Sequence, residues 1–327
     1  MESRRDAPNF FAGPYIDRRS EERELVTWLA DARADPTARY LACSGGKALM
    51  RESDDRPSVA FLQGDHPLVA TAGDSELVLL GWFRGARVVL LDLPATRGGE
   101  SPGTRYEELR PLSGVLPLEE AGLLAYARAL SIWRLRHRHC GVCGAPTVPE
   151  KAGHVLRCSN PACGHEVFPR IDPAIIVLVT DGERALLGRQ PTWPAGRYST
   201  IAGFVEPGKS LEDAVAREVL EETGVRVALA EYHSSQPWPF PSSLMLGFQA
   251  LADETSEIRL GGELDDARWF TREQIAAGLP LLPPPHAISY RLIAAWFDSG
   301  STVPLAECRP GPAAGERPAR HTGTAGT

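Results

Sequence analysis

The chain has 327 residues, 43% of them hydrophobic and 24% charged, the profile of a globular protein long enough for two cores. Its formal charge of −7 excludes broad, sequence-blind nucleic-acid binding, which needs many Lys and Arg against phosphates. No run approaches the roughly 18 apolar residues that span a bilayer, and the opening MESRRDAPNFF holds no apolar signal segment, so a cytoplasmic location without membrane contact is expected.

Residues 1–15 and the tail 309–327, rich in Pro, Gly and charge, are expected to be flexible. Between 16 and 117 the apolar runs Arg39–Cys43, Glu76–Trp82 and Ala86–Leu93, separated by turn residues, predict a small β-rich domain. Gly45-Gly46 before Lys47 reads as a hairpin turn. A phosphate-binding loop would need a glycine further upstream and Ser or Thr in place of Ala48. Residues 118–138 predict a linking helix: Leu123, Ala127, Leu130 and Trp133 recur at helical spacing, with acids first and arginines last. The run Arg134, Arg136, His137, Arg138 and His139 suits an exposed helix C-terminus, with contact to RNA as the other reading.

Residues 139–168 hold two close cysteine pairs, Cys140 with Cys143 and Cys158 with Cys163. Such pairs form two knuckles that converge on one tetrahedral Zn²⁺, and four thiolates leave no open position, so the metal is structural. His165 is an alternative to Cys163 as fourth ligand. Cys43 and Cys308 stand alone and read as incidental thiols.

From 169 to 300 a mixed α/β pattern is predicted. Strands are expected at Ile171–Thr180, Glu183–Leu187 and Leu244–Leu251, with helices from about 210 to 223 and at Ile288–Asp298. The first of these helices has Ser210 as N-cap, Asp213 three residues on, and Gly224 just past its end. Glu218, Glu221 and Glu222 fall within an arc of roughly 100° on it, beside Arg217. Like charges at this spacing destabilise a helix, so the cluster is either a solvated acidic face or a site for a hard cation such as Mg²⁺ or Mn²⁺. Downstream, three prolines in Ser235-Gln236-Pro237-Trp238-Pro239-Phe240-Pro241-Ser242-Ser243 hold an extended backbone. Trp238 and Phe240 there either stack on a base or pack on the core.

Gly203, Arg217, Glu218, Glu221, Glu222, Gly224 and Val225 resemble the Nudix hydrolase signature. The resemblance implies hydrolysis of a nucleoside diphosphate linked to another moiety, with Glu218 and Glu222 as cation ligands and Glu221 and Arg217 in the same catalytic network. One position departs from it: six residues after Gly203 the family has glutamate and this chain has Lys209. That leaves a catalytically impaired nucleotide-binding or regulatory protein as the alternative, and a zinc-ribbon RNA-binding module as a third reading. The segment Ser235–Ser243 resembles the element that marks the NADH pyrophosphatase branch of the family. That branch implies an α+β chain built from an N-terminal β-rich domain, a four-cysteine zinc ribbon and a C-terminal Nudix α/β/α sandwich.

The resemblance further implies that Gln236, Pro237, Trp238, Pro239, Phe240, Pro241, Ser242 and Ser243 line a dinucleotide site, with Phe168, Phe204 and Ser289 as further substrate contacts. Ala202 would offer a carbonyl, and Glu263 a carboxylate, to Mg²⁺ or Mn²⁺. The implied reaction converts NADH or NAD to NMN(H) and AMP, extends to NAD-capped RNA, and is carried out by a homodimer.

Overall fold

The computed structural model describes residues 8–52, 56–97, 99, 102–253 and 257–308. The tail 309–327 and residues 1–7, both expected to be flexible, lie outside the described residues.

Two sheets of related topology carry the chain. In the N-terminal one, four neighbours run in the order Leu77–Phe83, Ala86–Leu93, Arg39–Ser44, Lys47–Arg51. Their central pair is parallel and the flanking pairs are antiparallel. In the C-terminal sheet the order Val227–Trp238, Ser243–Ala252, Asp172–Thr180, Arg184–Arg189 repeats that pattern, again with one parallel pair at the centre. Asp266–Thr271 adds an edge strand, and Ile201–Phe204 pairs with the central strand over Ala174–Val177. The hairpin between Ser44 and Lys47 is turned by Gly45 and Gly46, both at positive φ (59° and 83°), the conformation that glycine adopts without steric cost.

Alternation along the central strands explains the layers, because successive side chains of a strand face opposite sides. Ile175, Val177 and Val179 pack on the helix Leu211–Thr223 through Ala214, Val215 and Val219. Ile176 and Leu178 face the other way, onto Leu292, Ile293 and Phe297 of the helix Ile288–Ser299. The C-terminal domain is thus an α/β/α sandwich. In the N-terminal sheet Leu41 and Cys43 meet the linking helix Leu118–Arg136 through Leu123, Leu124 and Ala127. Its opposite face, with Tyr40 and Ala42, is covered by two short helices, Trp28–Ala34 through Ala32 and Pro67–Ala70 through Val69.

A three-stranded ribbon, Glu166–Val167, Val155–Cys158 and Thr147–Glu150, lies between the two sheets in sequence. It leans on the N-terminal sheet: a Cβ on Gly153 would stand 2.8 Å from Val78, and His154 Nε2 donates to the Leu79 carbonyl at 2.8 Å.

One expectation is corrected. Residues 8–15 are not a flexible extension, because Phe10 and Phe11 are buried (6% and 3% exposed) in the N-terminal core. Asn9 Nδ2 also donates to the Ser235 carbonyl at 2.7 Å. The burial of two consecutive phenylalanines stabilises the segment by roughly 1.5–3 kcal/mol each, which offsets part of the entropy lost in ordering its backbone.

Candidate active site

The helix Leu211–Thr223 begins where Ser210 Oγ accepts from the Asp213 N–H (3.1 Å) and the Asp213 carboxylate accepts from the Ser210 N–H (3.2 Å), a capping box. It ends at Gly224, left-handed at φ 71°. Its apolar face is fixed in the core, so Glu218 and Glu222 are drawn down to 9% and 6% exposure while Glu221 stays exposed. Glu221 and Glu222 sit in the last turn, where the negative end of the helix dipole adds to their mutual repulsion.

Two glycines bring other elements onto this face. Glu218 lies against the strand Ile201–Phe204: a Cβ on Gly203 would stand 1.9 Å from its carboxyl carbon. On the far side, Gly261 donates its N–H to the Glu222 carbonyl at 3.0 Å. A Cβ there would sit 2.2 Å from the Glu221 carbonyl oxygen. Glu263, two residues on, is exposed and close enough to raise the pKa of both Glu218 and Glu222.

Arg217 ties the cluster together. Its Nη1 donates to Glu221 (2.9 Å), and its Nη2 donates to Glu218 (2.6 Å) and to the Phe204 carbonyl (2.7 Å). Burial, the charges of Glu218 and Glu263, and then that of Glu221 push the Glu222 carboxyl up to about 7. Four carboxylates with one guanidinium among them leave net negative charge. An all-oxygen donor set of this kind is what hard divalent cations take. Phe204, next to Gly203, turns its carbonyl to Arg217 and carries a 59% exposed ring.

The loop residues form a second group. Trp238 pairs with Ser243, closing a hairpin whose tip is Pro239–Ser242. Ser242 Oγ donates to Asp172 at 2.9 Å, and Arg128 donates to the Pro239 carbonyl. Trp238 and Phe240 pack edge-on against each other and against Phe11, with the guanidiniums of Arg110 and Arg128 at 4.9 and 5.2 Å from the Phe240 ring centre. Of the two readings left open for these aromatics, packing describes their surroundings here. Pro237–Pro239, Ser242 and Ser243 also line a cavity of about 290 Å³ with Arg18, Arg23, Tyr126, His154 and Arg170; none of the four glutamates borders it.

Gln236 is fully buried. Its Nε2 donates to the carbonyls of Phe10 (3.1 Å) and His286 (2.9 Å), and its Oε1 accepts from the Ile288 N–H (2.9 Å). Ser289, the next residue along, is also buried and bonds Ser199 Oγ (2.7 Å) and Thr200 Oγ1 (2.8 Å). The first turn of the last long helix therefore joins the loop to the strand that carries Ala202 and Gly203. Phe168 is 59% exposed just beyond the ribbon. Sequence reasoning missed Asn9, Phe10, Arg110 and Arg128, whose contacts are long-range, and Glu206, whose place in a Glu-Pro-Gly turn was a legible signal.

In the ribbon the four sulfurs of Cys140, Cys143, Cys158 and Cys163 lie within 4.8 Å of one another. Cys140–Cys163 and Cys143–Cys158 separations are 3.8 and 3.4 Å, close to the roughly 3.8 Å tetrahedron edge that Zn–S bonds of about 2.3 Å define. The site is built for one structural zinc.

Residues 37–133 match the NADH pyrophosphatase-like rudimentary NUDIX domain, 135–168 the NADH pyrophosphatase zinc ribbon domain, and 170–297 the NUDIX domain. The NAD-capped RNA hydrolase NudC of Stutzerimonas stutzeri is 43% identical over 65% of this chain and 75% of that protein. NudC of Mycobacterium bovis is 39% identical over 81% and 90%. The NAD-capped RNA hydrolase NUDT12 of Macaca fascicularis is 34% identical over 89% and 74%. With the ribbon, the glutamate helix and the repeated sheet in place, the chain belongs to the Nudix hydrolases, in the family of NAD-capped RNA hydrolases that also carries the NADH pyrophosphatase domains.

Proposed function

We propose that this chain hydrolyses the pyrophosphate bond of NADH and NAD, giving NMN(H) and AMP, and removes NAD caps from RNA by the same cleavage. The observation that carries the reading is the partly buried carboxylate cluster of Glu218, Glu221, Glu222 and Glu263, in which Arg217 bridges Glu218 and Glu221. Glu218, Glu222 and Glu263, with the carbonyl of Ala202, would hold Mg²⁺ or Mn²⁺. A bound cation supplies Lewis acidity toward the pyrophosphate oxygens and neutralises charge on the leaving phosphate.

The chain's own groups do the rest. Arg217 fixes the directions of Glu218 and Glu221. Glu222, buried among like charges, holds a proton near neutral pH that a bound cation would displace on taking the carboxylate as a ligand. The exposed Phe204 ring offers a stacking surface for the nicotinamide. The segment Gln236–Ser243, held rigid by its packing and hydrogen bonds, positions the dinucleotide together with Phe168 and Ser289. We place the enzyme in the cytoplasm as a homodimer; four cysteines gathered as thiols for zinc, with Cys43 and Cys308 unpaired, suit a reducing compartment.

The impaired-protein alternative prompted by Lys209 finds no support in these relatives, which are named as hydrolases. The deciding experiment incubates the protein with NADH, NAD or NAD-capped RNA and Mn²⁺ or Mg²⁺, and resolves products by mass. NMN(H) and AMP, or 5′-monophosphate RNA from the capped substrate, are expected from the wild type and not from Glu222→Gln. Intact substrates with the wild type would overturn the proposal.

A further inference from the structure

Lys209 stands at one end of a tight turn whose other end is Glu206. The Lys209 N–H donates to the Glu206 carbonyl at 3.1 Å, and the two central residues are Pro207 and Gly208, the latter at φ 83°. Proline at the second position and a left-handed glycine at the third make a type II β-turn, in which the first and fourth Cα atoms are less than about 7 Å apart. A side chain at either end therefore projects from nearly the same place on the loop that leads into the glutamate helix.

The carboxylate at the leading end faces Arg217. Glu206 Oε2 lies 3.9 Å from Arg217 Nε, and that Nε is buried without a hydrogen-bond partner. The other face of the same guanidinium is taken up by Glu218, Glu221 and the Phe204 carbonyl. At 3.9 Å, Glu206 attracts the one N–H that the helix and strand leave unsatisfied. Lys209 is exposed and forms no ion pair among the described residues.

Resting on the hydrolase reading above, we propose that Glu206 is the positioning residue for Arg217. From the leading end of the turn it supplies the anion that orients the guanidinium, so a lysine at the trailing end leaves the carboxylate cluster organised. A second anion at the trailing end would be redundant while Glu206 is present and would replace it when Glu206 is lost. Glu206 is half-exposed, with 58% of its side chain accessible, so the pair adds little to folding stability. Its effect falls on the geometry of Glu218 and Glu221.

The test is a four-protein cycle on the zinc-loaded full chain: wild type, Glu206→Ala, Lys209→Glu and the double variant. Three readouts are taken: kcat and KM for NADH, the Kd for Mn²⁺ alone from electron paramagnetic resonance, and the melting temperature. Expected for Glu206→Ala are a fall in kcat of about tenfold, KM within about twofold, a comparably weaker Mn²⁺ Kd, and an unchanged melt. Lys209→Glu should stay within about twofold of wild type, and the double variant should return to within about threefold. Glu206→Gln, which keeps size and loses charge, should behave as Glu206→Ala does. An active wild type with Glu206→Ala within twofold in both kcat and Mn²⁺ affinity, or a double variant no better than Glu206→Ala, would overturn the pairing. If the wild type cleaves no dinucleotide, the functional reading fails instead. The Mn²⁺ titrations then decide the pairing alone, by rescue in the double variant or its absence.

Discussion

The carboxylate of Glu218 lies on the backbone of Gly203, so near that a Cβ at residue 203 would be 1.9, 2.0 and 2.3 Å from its carbon and two oxygens. The obstacle is the far end of a flexible side chain, so the fold can absorb a methyl group by letting Glu218 swing away. Gly203→Ala should therefore keep its stability within about 1 kcal/mol of wild type while losing about 100-fold in kcat. Parallel melting and product assays check this; a normal kcat would show that Glu218 need not lie there.

Glu222 titrates near 7 in the cation-free protein because burial and the charges of Glu218, Glu263 and Glu221 resist its ionisation. A proton and a cation then compete for it. Mn²⁺ affinity should rise with pH up to about 7 and flatten above it, with a slope below 7 of at most about tenfold per pH unit. Titrations at pH 6, 7 and 8 would show this, and an equal Kd at all three would be against it.

His154 gives the fold an acid-sensitive joint. Burial lowers its pKa from 6.5 to about 4, against the partial support of its bond to the Leu79 carbonyl. The folded-state value lies below the unfolded one, so on acidification the unfolded chain takes up the proton first. The stability from a neutral His154 is full above pH 6.5 and is lost as pH falls toward 4, to a total of roughly 3 kcal/mol. Chemical denaturation of wild type and His154→Gln across this range should give curves that converge at low pH. Parallel curves would remove His154 from the account.

Gln236 joins three segments through one carboxamide. Gln236→Ala would strand the Ile288 N–H and the carbonyls of Phe10 and His286 in a buried setting, at a cost of about 2–4 kcal/mol. A fall in the denaturation midpoint without a change of slope is the expected signature. An unchanged midpoint would mean that water replaces the amide.

Removing zinc should loosen more than the ribbon, because Gly153 and His154 seat it on Val78 and Leu79 of the N-terminal sheet. A strong thiol-competing chelator should release one zinc per chain and open residues 139–168 to limited proteolysis. The strands and helices of 172–299 should remain resistant. Protection of the ribbon after zinc release would contradict a structural role for the metal.

What could be read from the sequence was what is local. Ser210, Asp213 and Gly224 announce the ends of the glutamate helix within a few residues, and the cysteine knuckles announce their convergence in the same way. The central strand Asp172–Thr180 was legible from its β-branched run. The edge strand Val227–Trp238 was not, because Glu231, Tyr232 and His233 sit on an exposed edge and blur its alternation. Phe10 and Phe11 looked like part of a polar tail, since what they meet is non-local: the N-terminal core from Leu41 to Leu156, and Gln236 and Trp238 more than 200 residues away. For Trp238 and Phe240 the sequence offered stacking and packing equally, and only Phe11, Arg110 and Arg128 show what surrounds them.

The same four-strand path is drawn twice, and the carboxylate cluster lies on the second drawing. Where the C-terminal sheet is covered by a thirteen-residue helix bearing the glutamates, the corresponding face of the N-terminal sheet has the short helices Trp28–Ala34 and Pro67–Ala70 and an apolar lining. Without carboxylates to hold, the first sheet acts as a buttress: it seats the ribbon on Val78 and Leu79, and its core holds Phe11 against the aromatic loop. Mutational tolerance should divide along the same line. Changes at the Pro67–Ala70 face need only preserve volume, whereas the matching face of the second copy must preserve charge and position as well.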